Sequence, residues 1–316
     1  MKIYISYLLF ILFNIYKSSQ KTLEEKMTFR IKYLSNETSE YDKTLKELQH
    51  LDIKYKNNKS IRIKEKYKIY RKFNSLREPS YISESYIKEE SFLLELNNQK
   101  GIVEISDLNP IINTINDNSI INSSIFNNIY LWKGDITRLK VNAIVNAANN
   151  KLLGCWQPLH NCIDNIIFSY SGVQLRNEMN EIMKKIGPYE QIGKARISKG
   201  YYLLSDYVIH TVGPYVDGPL TEKHKELLAS SYKSILELAK EKNIKTLAFC
   251  CISTGVFNFP NEDAAKIAIK TVIDFMEKNK NLNIKIIFCV YKDIDEIIYN
   301  NILKQKMQNL LFNDEL

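Results

Sequence analysis

From Ile129 onward, short β-rich runs alternate with helix-patterned stretches, and two of the runs, TLAFCCI (246–252) and IKIIFCV (284–290), are apolar almost throughout. A strand that alternates polar and apolar side chains needs cover on one face only, whereas a strand with no polar face needs it on both. Helices must therefore flank the sheet on each side, so the expected architecture is a three-layer α/β fold. The predicted strands are IYLWK, AIVNAAN, ARISKGYYL, YVIHTVG, TLAFCCIS and IKIIFCVYK. The clearest helices run from Glu222 to Lys242, with Thr221 as N-cap, and from Glu262 to Lys278, opened by Asn261 after Pro260 with Glu262 and Asp263 in the first turn.

Ligands of such sheets sit on loops beyond the carboxyl ends of the strands. Three of these loops carry chemistry: GDIT (134–137), the stretch from Asn149 through Cys155, and STGVFNFP (253–260). A small-residue loop such as Ser253-Thr254-Gly255 can turn several backbone N–H groups and hydroxyls toward a phosphate. Taken alone, such a tripeptide is more often a plain turn.

The second loop continues into GCWQPLHNCIDN (154–165), which spaces its ligand-forming residues as Cys155-x4-His160-x-Cys162. This is not the paired-knuckle pattern of a structural zinc finger, and it lacks the Cys-x-x-Cys of a redox pair. Three ligands with a fourth position open is the donor count of a catalytic metal site. A cysteine pair in the core beside a polar loop histidine is the competing reading. The five cysteines of the 316-residue chain are odd in number and fall in three places, so a disulfide framework is not expected. Cys250, Cys251, Cys289 and His210 lie in apolar strands and are read as core.

The N-terminal part reads differently. MKIYISYLLFILFNIYKSSQ has one early lysine and an apolar run too short for a membrane span, so residues 1–20 are expected to be a leader, with a secretory or organelle-directed location favoured over a cytoplasmic one. From Leu51 to Arg77 ten Lys/Arg stand against two acids, a local balance of +8 that equals the net charge of the whole chain. The remainder is neutral, which argues against nucleic-acid binding by the main domain. Residues 21–77 are expected to be a basic, weakly ordered extension, because the run YKNNKSIRIKEKYKIYRKF has no sustained apolar helical face. SYISESYIKEESFLLELNNQ, beginning at Ser80, reads as one amphipathic helix with its acids outward, part of a helical preface over 78–125.

Taken together, WKGDITRLKVNAIVNAANNKLLG, YVIHTVGP and CCISTGVFNFP resemble the macrodomain, a module that binds ADP-ribose. GCWQPLHNCIDNII is similar to the zinc-containing branch of that family, which hydrolyses ADP-ribose from proteins. KGIVEISDLNPI (100–111) extends the likeness into the helical preface of the branch, so that it covers about residues 78 to 305 and leaves the first 75 outside. The resemblance implies a three-layer α/β/α macrodomain over 126–305 with a mixed central sheet, preceded by a small helical extension and followed by a tail at 306–316. It implies a zinc-dependent hydrolase that removes mono-ADP-ribose from modified proteins, with a non-catalytic ADP-ribose reader carrying a structural zinc as the alternative. The chain is expected to be a monomer without a stable transmembrane span.

The resemblance also assigns residues. Cys155, His160 and Cys162 would hold one zinc ion with an open position. Asp135 would accept a hydrogen bond from the adenine amino group with Ile136 packed beside it, its alternative being a helix N-cap. Asn149 would bind the distal ribose. The helix start at Cys162, Ile163, Asp164 and Asn165 would offer backbone N–H groups to a diphosphate or ribose oxygen. Ser253, Thr254, Gly255, Val256 and Phe257 would form the second phosphate loop, Phe257 closing over the ribose. Asn149, Asp164 and the three zinc ligands would form the catalytic set. Two departures bear on rate: Asn258 stands where macrodomains commonly have a second glycine, and Phe168 where the zinc branch typically has a histidine.

Overall fold

The structure is a computed structural model that describes residues 21–36, 40–114 and 125–313. The leader expected at 1–20 lies outside the described residues. Three helices, α1 (Leu23–Asn36), α2 (Tyr41–Lys54) and α3 (Lys59–Leu76), precede a shorter pair, α4 (Glu84–Glu90) and α5 (Phe92–Gln99). Then follow β1 (Val103–Glu104), β2 (Ile129–Lys133), β3 (Leu139–Lys140), β4 (Ala143–Ala147), α6 (Ile163–Ser171), α7 (Val173–Ile186), β5 (Ala195–Lys199), β6 (Tyr207–Thr211), α8 (Glu222–Glu241), β7 (Thr246–Phe249), α9 (Asn261–Lys278), β8 (Lys285–Val290) and α10 (Asp293–Asn313). The last helix runs through much of the stretch expected to be a tail.

All six predicted strands form one sheet of order β2-β8-β7-β4-β6-β5, parallel except for β5, which pairs antiparallel with β6. The expected two-sided burial is met residue by residue. Along β4, Ala143 and Val145 point into one apolar cluster and Ile144 into another. Along β8, Ile286, Phe288 and Val290 join the first, and Ile287 and Cys289 the second. Helices α8, α9 and α10 cover the first face and α6 and α7 the second, which is the expected three-layer α/β/α arrangement with a mixed sheet. Thr221 caps α8 as predicted, its hydroxyl accepting from the His224 N–H. Asn261 does not cap α9: Pro260 holds that position, and the Asn261 amide donates instead to Asp295 at 2.5 Å.

The N-terminal region departs from expectation. Residues expected to be weakly ordered form α1, α2 and α3, whose apolar side chains meet those of α4, α5 and Val173 in a third cluster. The inward face of α3 is aromatic and polar, with Tyr67, Tyr70, Phe73, Asn74 and Ser75 buried, so a search for an aliphatic stripe passes over it. Its charge count misleads for the same reason: Lys66 is buried but lies 2.8 Å from Glu24 and 2.6 Å from Asp52. Arg62 hydrogen-bonds Glu24 as well and, despite partial burial and with Lys66 assisting, holds that carboxyl down at about 2.

The single helix expected from Ser80 is two, interrupted at Ser91, and not all its acids face outward. Glu89 is buried against Lys21, and Glu90 is fully buried. Glu90 lies 3.1 Å from the equally buried Arg30, accepts from the Tyr70 hydroxyl at 2.7 Å, and accepts the Val173 N–H at 3.1 Å. One carboxylate thereby joins the N-terminal helices to the first turn of α7. Replacing Glu90 by Ala leaves the Arg30 charge buried without a counterion and should cost roughly 3–5 kcal/mol of stability, read from urea unfolding; a loss under 1 kcal/mol would show the pair to be dispensable.

Candidate functional site

Because β2, β8, β7 and β4 run parallel, the loops after them all leave from one edge of the sheet. Along that edge Asp135 follows β2, the loop 253–260 follows β7, and the Cys-His-Cys stretch follows β4. Three interstrand steps of about 4.8 Å separate β2 from β4, roughly 14 Å in all, with the β7 loop between them.

The structure brings Cys155, His160 and Cys162 together. Their ligand atoms lie within 4.8 Å of one another, with the Cys155 Sγ 3.7 Å from the His160 Nδ1, and all three are half-buried. Two thiols and an imidazole are a donor set that suits zinc, and partial exposure leaves one side open to a further ligand. Cys162 is also the N-cap of α6, its Sγ accepting the Asn165 N–H at 3.4 Å. Burial pushes its thiol up to about 12, with the Asn165 N–H pulling the other way and Asp164 and Cys155 adding to the rise. A thiolate here therefore needs a cation beside it.

Gly154 begins the loop at φ +84°, and a Cβ there would come within 2.8 Å of the Phe168 ring. Phe168, in place of the histidine typical of the zinc branch, is buried under the loop and supports it by packing. No metal-loop hydrogen bond is expected of its ring; its carbonyl accepts from Asn74 at 3.1 Å.

Asn149 and Asp164 form one unit with this loop. The Asn149 amide nitrogen donates to the Gly154 carbonyl at 3.0 Å and to Asp164 Oδ2 at 3.2 Å, while its oxygen accepts the Lys151 N–H at 3.0 Å. A carboxamide oxygen has a second lone pair, and that is what Asn149 can offer a hydroxyl. Asp164 is 4% exposed, so it acts through its neighbours. The side chain of Asn165 is also spent inside the protein, accepting from Arg71 at 2.8 Å and donating to Ser75 at 3.0 Å and to the Gln157 carbonyl at 3.0 Å. Its backbone N–H goes to Cys162, so of the helix-start N–H groups expected to meet a ligand, those of Ile163 and Asp164 are the ones without an intrahelical acceptor.

Behind Asp164 lies a polar chain that the sequence does not announce. Asn146, in the buried centre of β4, donates through Nδ2 to Asp164 Oδ1 at 2.8 Å and approaches His210 Nδ1 at 3.1 Å; His210 Nε2 lies 2.9 Å from Ser198 Oγ. Since the Asn146 nitrogen has only hydrogens to offer, His210 Nδ1 must be unprotonated and Nε2 carries the proton. His210 is buried as expected, but as a wired polar group. The detectable signal was an asparagine within an otherwise apolar strand. Burial lowers the His210 pKa to about 3, and it raises that of Asp164 to about 6 against the Asn146 bond and the Arg176 charge.

At the far end of the edge, Asp135 takes the N-cap position weighed for it, with one carboxylate oxygen turned to Lys100. It caps a short 3₁₀ turn at 136–138, Oδ1 accepting from the Thr137 N–H at 3.0 Å and hydroxyl at 2.7 Å, and Oδ2 lies 2.6 Å from Lys100 Nζ while the side chain stays 31% exposed. Burial works against its ionisation, but Lys100 and the Thr137 donors outweigh it and hold the carboxyl below its usual range. Lys100, missed from sequence, also lies over the Tyr170 ring. Ile136 is 2% exposed and packs into the core, leaving little of its side chain for a ligand.

In the β7 loop, Ser253 (φ +67°) and Asn258 (φ +55°) take left-handed backbone conformations. Asparagine enters that region more readily than most residues, which is why it can replace a glycine at 258. Ser253 is buried against Gly213, where a Cβ would come within 2.1 Å of its Oγ. Thr254 donates its hydroxyl to the Cys251 carbonyl at 3.1 Å. Gly255 and Val256 are exposed, and Phe257 is half-buried edge-on to Tyr215 at 5.9 Å, with its backbone oxygen accepting from Val216.

A sequence profile of the family described as Macro domain matches residues 145–268. A protein-ADP-ribose hydrolase of Treponema medium is 44% identical over 236 residues, 74% of this chain and 86% of the relative. A protein-ADP-ribose hydrolase of Staphylococcus aureus (strain MRSA252) is 41% identical, covering 74% of this chain and 83% of that one. Among solved structures, the Trypanosoma brucei macrodomain in complex with ADP-ribose is similar with a TM-score of 0.56 at 26% identity, over 73% of this chain and 94% of that one.

The depressed His210 value has a consequence for stability. The unfolded imidazole, at about 6.5, takes up a proton that the folded one refuses until about 3, so folding loses stability as pH falls below 6.5. Asp164, protonated more readily when folded, opposes this between its unfolded value of 3.8 and about 6. His210→Gln keeps an acceptor for Asn146 and a donor for Ser198 without titrating. Between pH 7 and pH 5 the variant should therefore lose less unfolding free energy than wild type, by about 2 kcal/mol, as measured by denaturant titration at each pH. Parallel losses in the two proteins would contradict the assignment.

Proposed function

The chain belongs to the macro domain family, and on that premise we propose that it removes mono-ADP-ribose from modified proteins, with zinc held by Cys155, His160 and Cys162. As a near relative of hydrolases it is itself a hydrolase acting on glycosyl bonds. The bond cut, the metal and the residue roles are the proposal. Its main support is the clustering of a soft three-ligand set beside Asn149 and Asp164, at one end of a sheet edge that carries an acceptor for adenine at the other.

The strand order supports one direction for the ligand. Adenine lies at Asp135, where its amino group donates to a carboxylate kept charged by Lys100. The diphosphate crosses the β7 loop, meeting backbone of residues 253–257 and the N–H groups at the start of α6, whose dipole favours an anion. The distal ribose reaches the β4 loop, where the free lone pair of the Asn149 oxygen accepts a hydroxyl and Phe257 covers the sugar. Asp164 fixes the Asn149 amide and so fixes which hydroxyl it receives. When bound, zinc would supply Lewis acidity at its open position, moderated by the two thiolates.

The experiment is release of ADP-ribose from a mono-ADP-ribosylated protein by the full chain, by its Cys155→Ala variant and by chelator-treated protein. The full chain should release it, and the other two should fall at least about 100-fold, the scale of losing a principal electrostatic contributor. Undiminished activity in zinc-free protein would remove the metal from the reaction. Tight ADP-ribose binding by the full chain without release would make it a reader.

A further inference from the structure

The last two turns of α3 lie against the metal loop, although α3 is outside both the segment that resembles the family and residues 145–268 matched by its profile. Arg71 Nη2 donates to the His160 carbonyl at 3.3 Å and to Asn165 Oδ1 at 2.8 Å. On the other side of the same amide, Asn165 Nδ2 donates to Ser75 Oγ at 3.0 Å and to the Gln157 carbonyl at 3.0 Å, with the Cys155 carbonyl farther off at 3.4 Å. The Ser75 hydroxyl proton is itself given to the Arg71 carbonyl at 2.8 Å, so Ser75 can only accept from Asn165. The direction of every bond is therefore set: the guanidinium requires the amide oxygen, and the hydroxyl and carbonyl require its nitrogen.

The loop that carries the three candidate metal ligands is tied to this assembly at several points. His160 is held through its carbonyl, Cys162 through its Sγ, which accepts the Asn165 N–H at 3.4 Å, and the turn between Cys155 and His160 through the Gln157 carbonyl, with the Cys155 carbonyl 3.4 Å from the same amide nitrogen. Between them Gln157, Pro158, Leu159 and Asn161 are exposed and form no regular element, and Leu159 takes φ +60°. A loop of this kind has little packing of its own to arrange three ligands in space. The helix that holds it is itself rigid, since Tyr70 and Phe73 are sunk in the third apolar cluster and Tyr70 hydrogen-bonds the Glu90 that pairs with Arg30.

We infer that Arg71 is a positioning residue for the metal site, holding the 155–165 loop in the arrangement that binds zinc by way of the His160 carbonyl and the Asn165 amide. The inference rests on the zinc reading proposed above. Arg71 touches no reacting atom; it lowers the ordering cost of bringing Cys155, His160 and Cys162 to one ion. Outer groups that orient a ligand commonly contribute 10–100-fold to metal affinity.

The test is zinc affinity of the full chain by competition with a chromophoric chelator, for wild type, Arg71→Met, Arg71→Lys and Ser75→Ala, with ADP affinity by calorimetry measured alongside. ADP reports the end of the site at Asp135 and the 253–257 loop, which Arg71 does not touch. Arg71→Met should weaken zinc binding by about 10–100-fold, and Arg71→Lys, able to reach one of the two acceptors, should recover part of the loss, with ADP affinity within about twofold of wild type. Wild-type zinc affinity in Arg71→Met, or zinc and ADP binding falling together, would overturn the inference. If Arg71→Met does not fold, Ser75→Ala decides: it should weaken zinc by at least about threefold, and an unchanged affinity would overturn the inference as well. A wild-type chain that binds no zinc would sink the zinc reading, and with it this role, before any variant is compared.

Discussion

The parallel alignment of five strands is the constraint on which the rest depends. A parallel sheet returns each chain segment through a crossover, so helices lie on both faces and the interior must be apolar on both. It also collects the carboxyl ends of β2, β8, β7 and β4 at one edge. Asp135, the 253–257 loop and the Cys-His-Cys loop are distant in sequence and are neighbours only through this alignment. The order of strands sets the order of contacts along any ligand that lies across them.

The second constraint comes from the polar groups within that apolar interior. A buried amide or imidazole without partners costs on the order of 1–3 kcal/mol, so such groups must be paired, and each pairing limits the next. Asn146 gives hydrogens to Asp164 and His210, which decides the His210 tautomer; Asp164 in turn holds the Asn149 amide. Asn165 is fixed in the same manner between Arg71 and Ser75. The site's surface residues thus stand on two chains of buried hydrogen bonds, one reaching back through the sheet and one reaching across to α3.

Legibility from sequence followed the kind of signal each element carries. The six strands were readable because near-continuous apolar runs have few alternatives, and Thr221 because a side-chain cap is local. The clustering of Cys155, His160 and Cys162 was readable because their spacing is short and their residue types are few. Helix α3 was not, since its inward face mixes tyrosine, asparagine and lysine, and the burial of Lys66 depends on Glu24 and Asp52 from other helices. For the same reason the preface acids could not be sorted: Glu90 faces inward only because Arg30 is there to meet it. Asn165 illustrates the limit within the site. Its position at a helix start suggested a ligand contact, yet Arg71, 94 residues earlier, claims its side chain.

By itself the sequence determined what is local or periodic: the two-faced sheet, the loops that follow its strands, and the Cys-His-Cys trio set within eight residues. Left-handed backbone at Asn258 and Gly154 also follows from residue types able to adopt it. The tertiary structure alone decided which polar side chains face a ligand and which are consumed as supports. That choice turns on partners far away in the chain, whose arrival in hydrogen-bonding geometry depends on the packing of whole helices. No reading of residues 155–165 could have placed Arg71 beside them, because the contact exists only once the third apolar cluster has formed.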